Sequence, residues 1–400
     1  MSVGKVVLLI AIAWLIVTLR CNQAHAADQW NAGTLTGTGR TEALAYPATC
    51  SSTTAFAVPR RATSLTNALT KYVTTGAGNL TATSYTPGSP TRMEKIGGVG
   101  CDSTRVFVGG SGLWLQYAAL VDLASWSFSF NPNATGETVG GSIAPVGTNY
   151  RFAYSWPGGS ATRVYDLTVP TTTTSLASSA PAADDVELVS TQVSSSFYCA
   201  ISGEYSSGQP YMRGYTSGTS YAFTTRSATV VMNTSSYFYP PFGLSATACV
   251  ATIKRVGNSH TYILSAPIGG TVTVTDAGVI DLIPLGDWDP TGSLRRGWWV
   301  NKADGTVRQG NSATATTSVG TNATYDIGST PLAGSTPLFA ITGLDMDGDG
   351  SATDNPVVLM ADGTHFAWWG TQPVAASTTR PKRNATGPFN SFPFNLPGGQ

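Results

Sequence analysis

Charge is what this sequence has least of. Asp, Glu, Lys and Arg make up 11% of its 400 residues, 22 of each sign, and the formal net charge is zero; an ordinary soluble domain carries about 25%. With no basic block, the chain lacks the electrostatic footprint of a nucleic-acid binder. Histidine is scarcer still, at three residues. None falls in a His-Glu-x-x-His or Cys-x-x-Cys-His pattern, and no Cys/His spacing suits zinc. A Gly-x-Ser-x-Gly elbow, a P-loop and a dinucleotide fingerprint are all missing, which removes the usual footholds of nucleophilic, nucleotide and redox chemistry. His260 and His365 therefore read as strand-surface residues. Glycoside hydrolysis is harder to exclude, because its two carboxylates can come from distant loops. Asp184, Asp185, Glu187 and Glu204 are available for it, although Asp184-Asp185 reads more simply as a solvated turn. Long amphipathic helices are absent too, and only residues 65–72 suggest a short one.

In place of charge there are hydroxyls and glycines: Ser and Thr together number 96 and Gly 44. The start of the chain is different. Lys5 precedes an apolar run over 6–17, and Ala24-His25-Ala26 offers a small-x-small cleavage site, so residues 1–26 read as a secretory signal peptide. That run falls short of the roughly 20 residues a membrane span needs. The expected protein begins at Ala27, has no membrane span after cleavage, and is secreted to the cell surface, the medium or the periplasm.

Cysteine spacing carries the architecture. Beyond the leader stand Cys50, Cys101, Cys199 and Cys249, separated by 51, 98 and 50 residues. This is a repeat of about 50 with one position skipped. The skipped position is Tyr150, in VGTNYRFAYSW, and the series continues near Trp298 and Val357, giving seven copies. Each copy is a β-rich run broken at a turn: Gly109-Gly110, Pro157-Gly158-Gly159, Ser207-Gly208, Gly257-Asn258, Asp304-Gly305 or Asp362-Gly363. Seven all-β units of this length predict a single β-propeller over 27–376, most simply of seven blades, with six and eight as alternatives and a β-sandwich pair or β-solenoid as competing architectures. The Thr/Ser-rich stretch 171–183 falls inside the third unit and reads as a loop or outer strand. Four cysteines allow three connectivities; the repeat favours Cys50 with Cys101 and Cys199 with Cys249, each joining equivalent places on neighbouring blades.

The densest chemical signal is LDMDGDGSATDNPVVLMADGTHFAWWG, residues 344–370. Asp345, Asp347 and Asp349 occupy positions 1, 3 and 5 of a loop with Gly348 and Gly350 interleaved. Alternating side chains converge hard oxygens on one point, which suits Ca²⁺. Asp354 and the backbone carbonyl of Ser351 complete the expected ligand set. Pro356 and the apolar run after it read as a strand, so this is not an EF-hand. The loop, the strand and the Asp-Gly turn resemble the calcium-binding repeats of FG-GAP and VCBS-type β-propellers. The preceding unit, LGDWDPTGSLRRGWWVNKADGTV, resembles the same repeat in degenerate form, with Thr291 and Arg295 at two ligand positions. The match covers about residues 285–370. It implies a secreted or cell-surface propeller used in adhesion and ligand recognition, with a structural calcium ion; at the degenerate loop, Arg295 is expected to pair with Asp287 and Asp289 in place of metal.

Aromatic residues suggest where a ligand would sit. Trp298-Trp299 and Trp368-Trp369 recur in neighbouring units; alternation turns one ring of each pair inward, and the other either covers a neighbouring blade or forms a sugar-stacking platform. The tail 377–400 carries Phe389, Phe392 and Phe394 between prolines, outside the repeat, and is a candidate for self-association. Three functions compete: a non-catalytic recognition or adhesion propeller with a glycan or protein ligand, a structural subunit of an extracellular assembly, and a secreted glycan-active enzyme.

Overall fold

The computed structural model describes residues 28–372 except 43–44, 60–65, 89–94, 112–114, 131–138, 147–148, 156–162, 169–171, 179–184, 195–196, 205–209, 217–220, 227–236, 246, 256, 268–269, 291–295, 313–315, 328–334 and 352–355. The leader, the C-terminal tail, Asp354 and Arg295 lie outside the described residues, as do the turns at 157–159 and 207–208. Within them the chain is all-β. The only helical element among the described residues is a 3-10 turn, Ala323–Tyr325, capped by the Asn322 side chain.

Strands follow one another as antiparallel meanders, which is what short β-rich runs separated by turns dictate. Among the described residues they form seven sheets, spanning 45–85, 95–130, 139–178, 185–226, 237–276, 282–321 and 337–370. Each has four strands except the fifth, whose first strand is split into Tyr237–Phe238 and Phe242–Leu244 around Pro240 and Pro241. Proline cannot donate to a ladder and is tolerated on this edge position. The first strand of each sheet lies against the first strand of the next, and the circle closes where Pro337–Ile341 meets Ala45–Ser51. The seventh sheet takes its fourth strand from the other end of the chain: Gln29–Thr34 pairs with His365–Gly370, from Gln29 opposite Gly370 to Thr34 opposite His365. This ring of radial sheets is a β-propeller.

Disulfides staple neighbouring sheets as the repeat favours. Cys50 joins Cys101 with Cα atoms 5.0 Å apart, and Cys199 joins Cys249 at 6.1 Å. The first bridge links two first strands and the second links two second strands, so each does join equivalent places. Three expectations need correction or placing. Gly109-Gly110 lies inside the strand Arg105–Ser111 and is no turn. The expected helix near 65–72 is replaced by the strand Leu69–Val73, paired on both sides; its β-branched and aromatic residues and the burial of Tyr72 favour a pleated surface over helix propensity. Within 171–183, Thr172–Ser178 is the fourth strand of the third sheet.

Packing between sheets is apolar. Valine, isoleucine and leucine from alternate strand positions fill a continuous core that includes Phe56, Val108, Ile253, Val300 and Val358. A second cluster, with Leu35, Tyr72, Met346 and Trp368, fills the seam between the seventh and first sheets.

Candidate metal centre

The acidic loop connects the first and second strands of the seventh sheet, Pro337–Ile341 and Val357–Met360. Its aspartates come together: one carboxylate oxygen from each of Asp345, Asp347 and Asp349 lies within 4.8 Å of the others. Glycine makes the turn, with φ of 78° at Gly348 and 89° at Gly350, a region L side chains rarely enter. Asp345 organises the loop by accepting the N–H of Gly348 at 2.7 Å and of Gly350 at 3.0 Å. Asp349 accepts the N–H of Ser351 at 2.6 Å, which brings Ser351 beside the cluster.

The loop is held from three directions. Asp345 donates its N–H to the carbonyl of Ser52 and Met346 accepts from Gly78 N–H, so two loops of the first sheet seat it. A Cβ added at Gly76 would stand 3.1 Å from the Gly348 Cα, which explains the glycine there. On its own sheet, Thr371 donates its N–H to Asp347 at 3.1 Å, and the Thr371 hydroxyl donates to Asp28 at 2.6 Å. Half-burial raises the pKa of Asp347; the Thr371 N–H opposes this and the neighbouring charge of Asp349 adds to it. Three carboxylates in one small loop are what a divalent cation would relieve. The donor set is all hard oxygen, so these residues fit calcium better than a softer metal.

Between the aspartates sit apolar wedges that sequence reading passed over. Met346 is buried in the seam with the first sheet. Its counterpart in the degenerate loop, Trp288, is buried between the sixth and seventh sheets, edge-on to Trp298 and Trp369 with centroids 5.1 Å away in both cases. Trp30 and Tyr325 complete this cluster. The signal was present, since an apolar residue between two loop aspartates has no reason to face water. In the degenerate loop Asp287 accepts the N–H of Ser245, from the fifth sheet, at 2.7 Å. Its expected partner Arg295 is outside the described residues.

Trp298, Trp299, Trp368 and Trp369 are all buried, at 1%, 0%, 2% and 6% exposure. No sugar-stacking platform is formed by them. Radial stacking covers both faces of each inner strand, so the ring that alternation turns away from its own core enters the next sheet's: Trp299 packs on Phe242 and donates to Thr252 at 2.9 Å, and Trp368 fills the seam cluster. His260 and His365 are partly exposed at the head of third strands, each with Nδ1 on a carboxylate, Asp276 at 2.9 Å and Asp362 at 2.6 Å. Of the scattered acids, the backbone sets Asp185 opposite Glu204 on adjacent strands. A partly buried network stands near the start of the sixth sheet, where Tyr237 and Tyr239 both donate to Asp281, at 3.1 and 2.5 Å. Burial pushes the pKa of the Tyr239 phenol well up, and the charge of Asp281 adds to the shift.

No family model matches the chain, and no curated protein matches it. Among solved structures it is similar to the WD40 domain of Toxoplasma gondii coronin, with a TM-score of 0.51 at 8% identity over 87% of this chain and 89% of that one. Saccharomyces cerevisiae Sqt1 aligns at a TM-score of 0.48 and 10% identity over 84% and 98% of the two chains. A Lactobacillus plantarum protein aligns at 0.43 and 12% over 71% and 88%. The coronin likeness agrees with the β-propeller fold and speaks to fold alone.

Proposed function

We propose that the protein is a non-catalytic recognition propeller working outside the cell, its seven sheets serving as blades and its seventh-sheet loop holding a structural Ca²⁺ ion through Asp345, Asp347, Asp349 and the Ser351 carbonyl. The observation that carries the reading is the convergence of the three carboxylates in a loop seated on the neighbouring sheet, whose sequence resembles the FG-GAP/VCBS repeat. Calcium there would neutralise like charges and hold the loop rigid on one face of the ring. Two cystine staples suit an oxidising compartment, and among the described residues no helix is long and apolar enough to cross a membrane.

The ligand is a glycan or a protein met at the loop faces, since the buried tryptophans offer no platform. Screening the secreted protein against glycan and extracellular-protein arrays, with calcium and with chelator, tests this. Binding without turnover is expected. Hydrolysis of any bound polysaccharide, or no binding on either array, would overturn it.

A further inference from the structure

Every sheet but one is built from strands consecutive in the chain; the exception is the seventh, whose outer strand Gln29–Thr34 arrives from the other end. That strand is gripped twice. On the seventh sheet it makes six register pairs with His365–Gly370. Trp30 enters the aromatic cluster, the Asn31 amide donates to Gly370 O at 2.9 Å, and Leu35 donates its N–H to Thr364 O. The second grip is on the first sheet. Thr36 bonds both ways there, its N–H to Leu80 O and its carbonyl from Ala82 N–H. Four residues on, the buried Arg40 guanidinium donates to Ala68 O and Thr70. Gly37, at φ 88°, marks the corner. The two grips overlap, since Gly39 donates its N–H to Gly363 O of the seventh sheet, so the strand leaves only when the segment through Gly39 is freed with it, and that segment is then the hinge.

We propose that Gln29–Thr34 is an exchangeable closing strand, and that its alternative partner is the seventh sheet of a second copy of this chain. Release would bare a six-residue edge, His365–Gly370, together with the site vacated by Trp30. The occupant that fits both is the same strand from a second molecule, and a reciprocal exchange gives a closed two-fold dimer. The strand, QWNAGT, has neither charge nor proline to discourage edge pairing. Intramolecular closure wins at low concentration because the tethered strand has an effective concentration on the order of millimolar; exchange becomes visible as protein concentration approaches that level.

The test uses full-length Thr34→Cys/His365→Cys protein, since these positions are register partners near the surface. Light and ¹⁵N-labelled preparations are mixed near ~1 mM in mild denaturant, where closing and exchange compete, then returned to buffer and oxidised. The dimer fraction should contain peptides linked through positions 34 and 365 with one light and one heavy half, and the monomer fraction same-isotope links alone. Absence of dimer, or a dimer with same-isotope links alone, would overturn the proposal. Unmodified protein gives a separate reading: amides of Gln29–Thr34 should exchange hydrogen well ahead of those of Val357–Met360, and equal protection would also overturn it.

Discussion

Asp347→Asn separates the metal's contribution from that of the loop itself. The asparagine oxygen can still accept the Thr371 N–H that Asp347 accepts at 3.1 Å, while the negative charge is gone. In calcium, wild type should gain RT ln(1 + [L]/Kd). With a Kd of about 10⁻⁴ to 10⁻³ M, as for extracellular modules, 10 mM calcium adds roughly 1.4 to 2.7 kcal/mol. Unfolding entropy of about 2.1 cal/mol/K per residue, over a ring of about 345 residues, converts that to a Tm rise of roughly 2 to 4 °C. The variant should lose most of this rise. In chelator the sign reverses. The folded-state pKa of Asp347 is raised by burial, so its contribution favours folding below the ordinary carboxylate value and is lost as pH rises through the folded value. At pH 7 metal-free wild type carries that cost and the variant does not, so the variant should melt at or above wild type. Scanning calorimetry in both conditions reads the crossing. A wild type indifferent to calcium, or a variant that keeps the full calcium response, would refute the reasoning.

Trp288→Ala should destabilise by about 3–5 kcal/mol in urea titrations, because it empties a fully buried site contacted by Trp30, Trp298, Trp369 and Tyr325; a loss under ~1 kcal/mol would mean the cluster is not packed as described. Replacing Cys50 and Cys101 together by alanine opens a 51-residue loop and should cost about 2–4 kcal/mol, read by denaturant midpoint. Asp362 has its pKa lowered to about 2; slight burial works against the shift, and hydrogen bonds from Thr364 and His365 outweigh it. Its stabilisation should be complete above the ordinary carboxylate value and fade as pH falls through about 2, and His365→Ala should move the Asp362 titration upward by NMR. Deleting 381–400 should turn any oligomer held by the tail phenylalanines into monomer with little change in Tm; an unchanged size on light scattering would assign assembly elsewhere.

Local chemistry wrote the period into the sequence. Turns, β-branched runs and cysteines every 50 residues depend on neighbours a few positions away, so the all-β class, the repeat, the cystine partners and the acidic loop were legible. The loop's convergence was legible for the same reason, since alternating aspartates with glycine between them can bend in few ways. Tertiary structure decided what depends on residues far apart in the chain. Which face of a tryptophan pair meets solvent is fixed by other sheets, the fifth burying Trp299 and the first burying Trp368, where alternation within one strand left a platform open. The strand at Leu69–Val73, whose β-branched and aromatic residues suit a pleated surface, is fixed in place by its ladder partners on both sides. Burial of Met346 and the seating of the acidic loop on Ser52 and Gly78 exist only because the ring brings the seventh sheet back to the first. Closure is a long-range event, and no window of local sequence contains both of its sides.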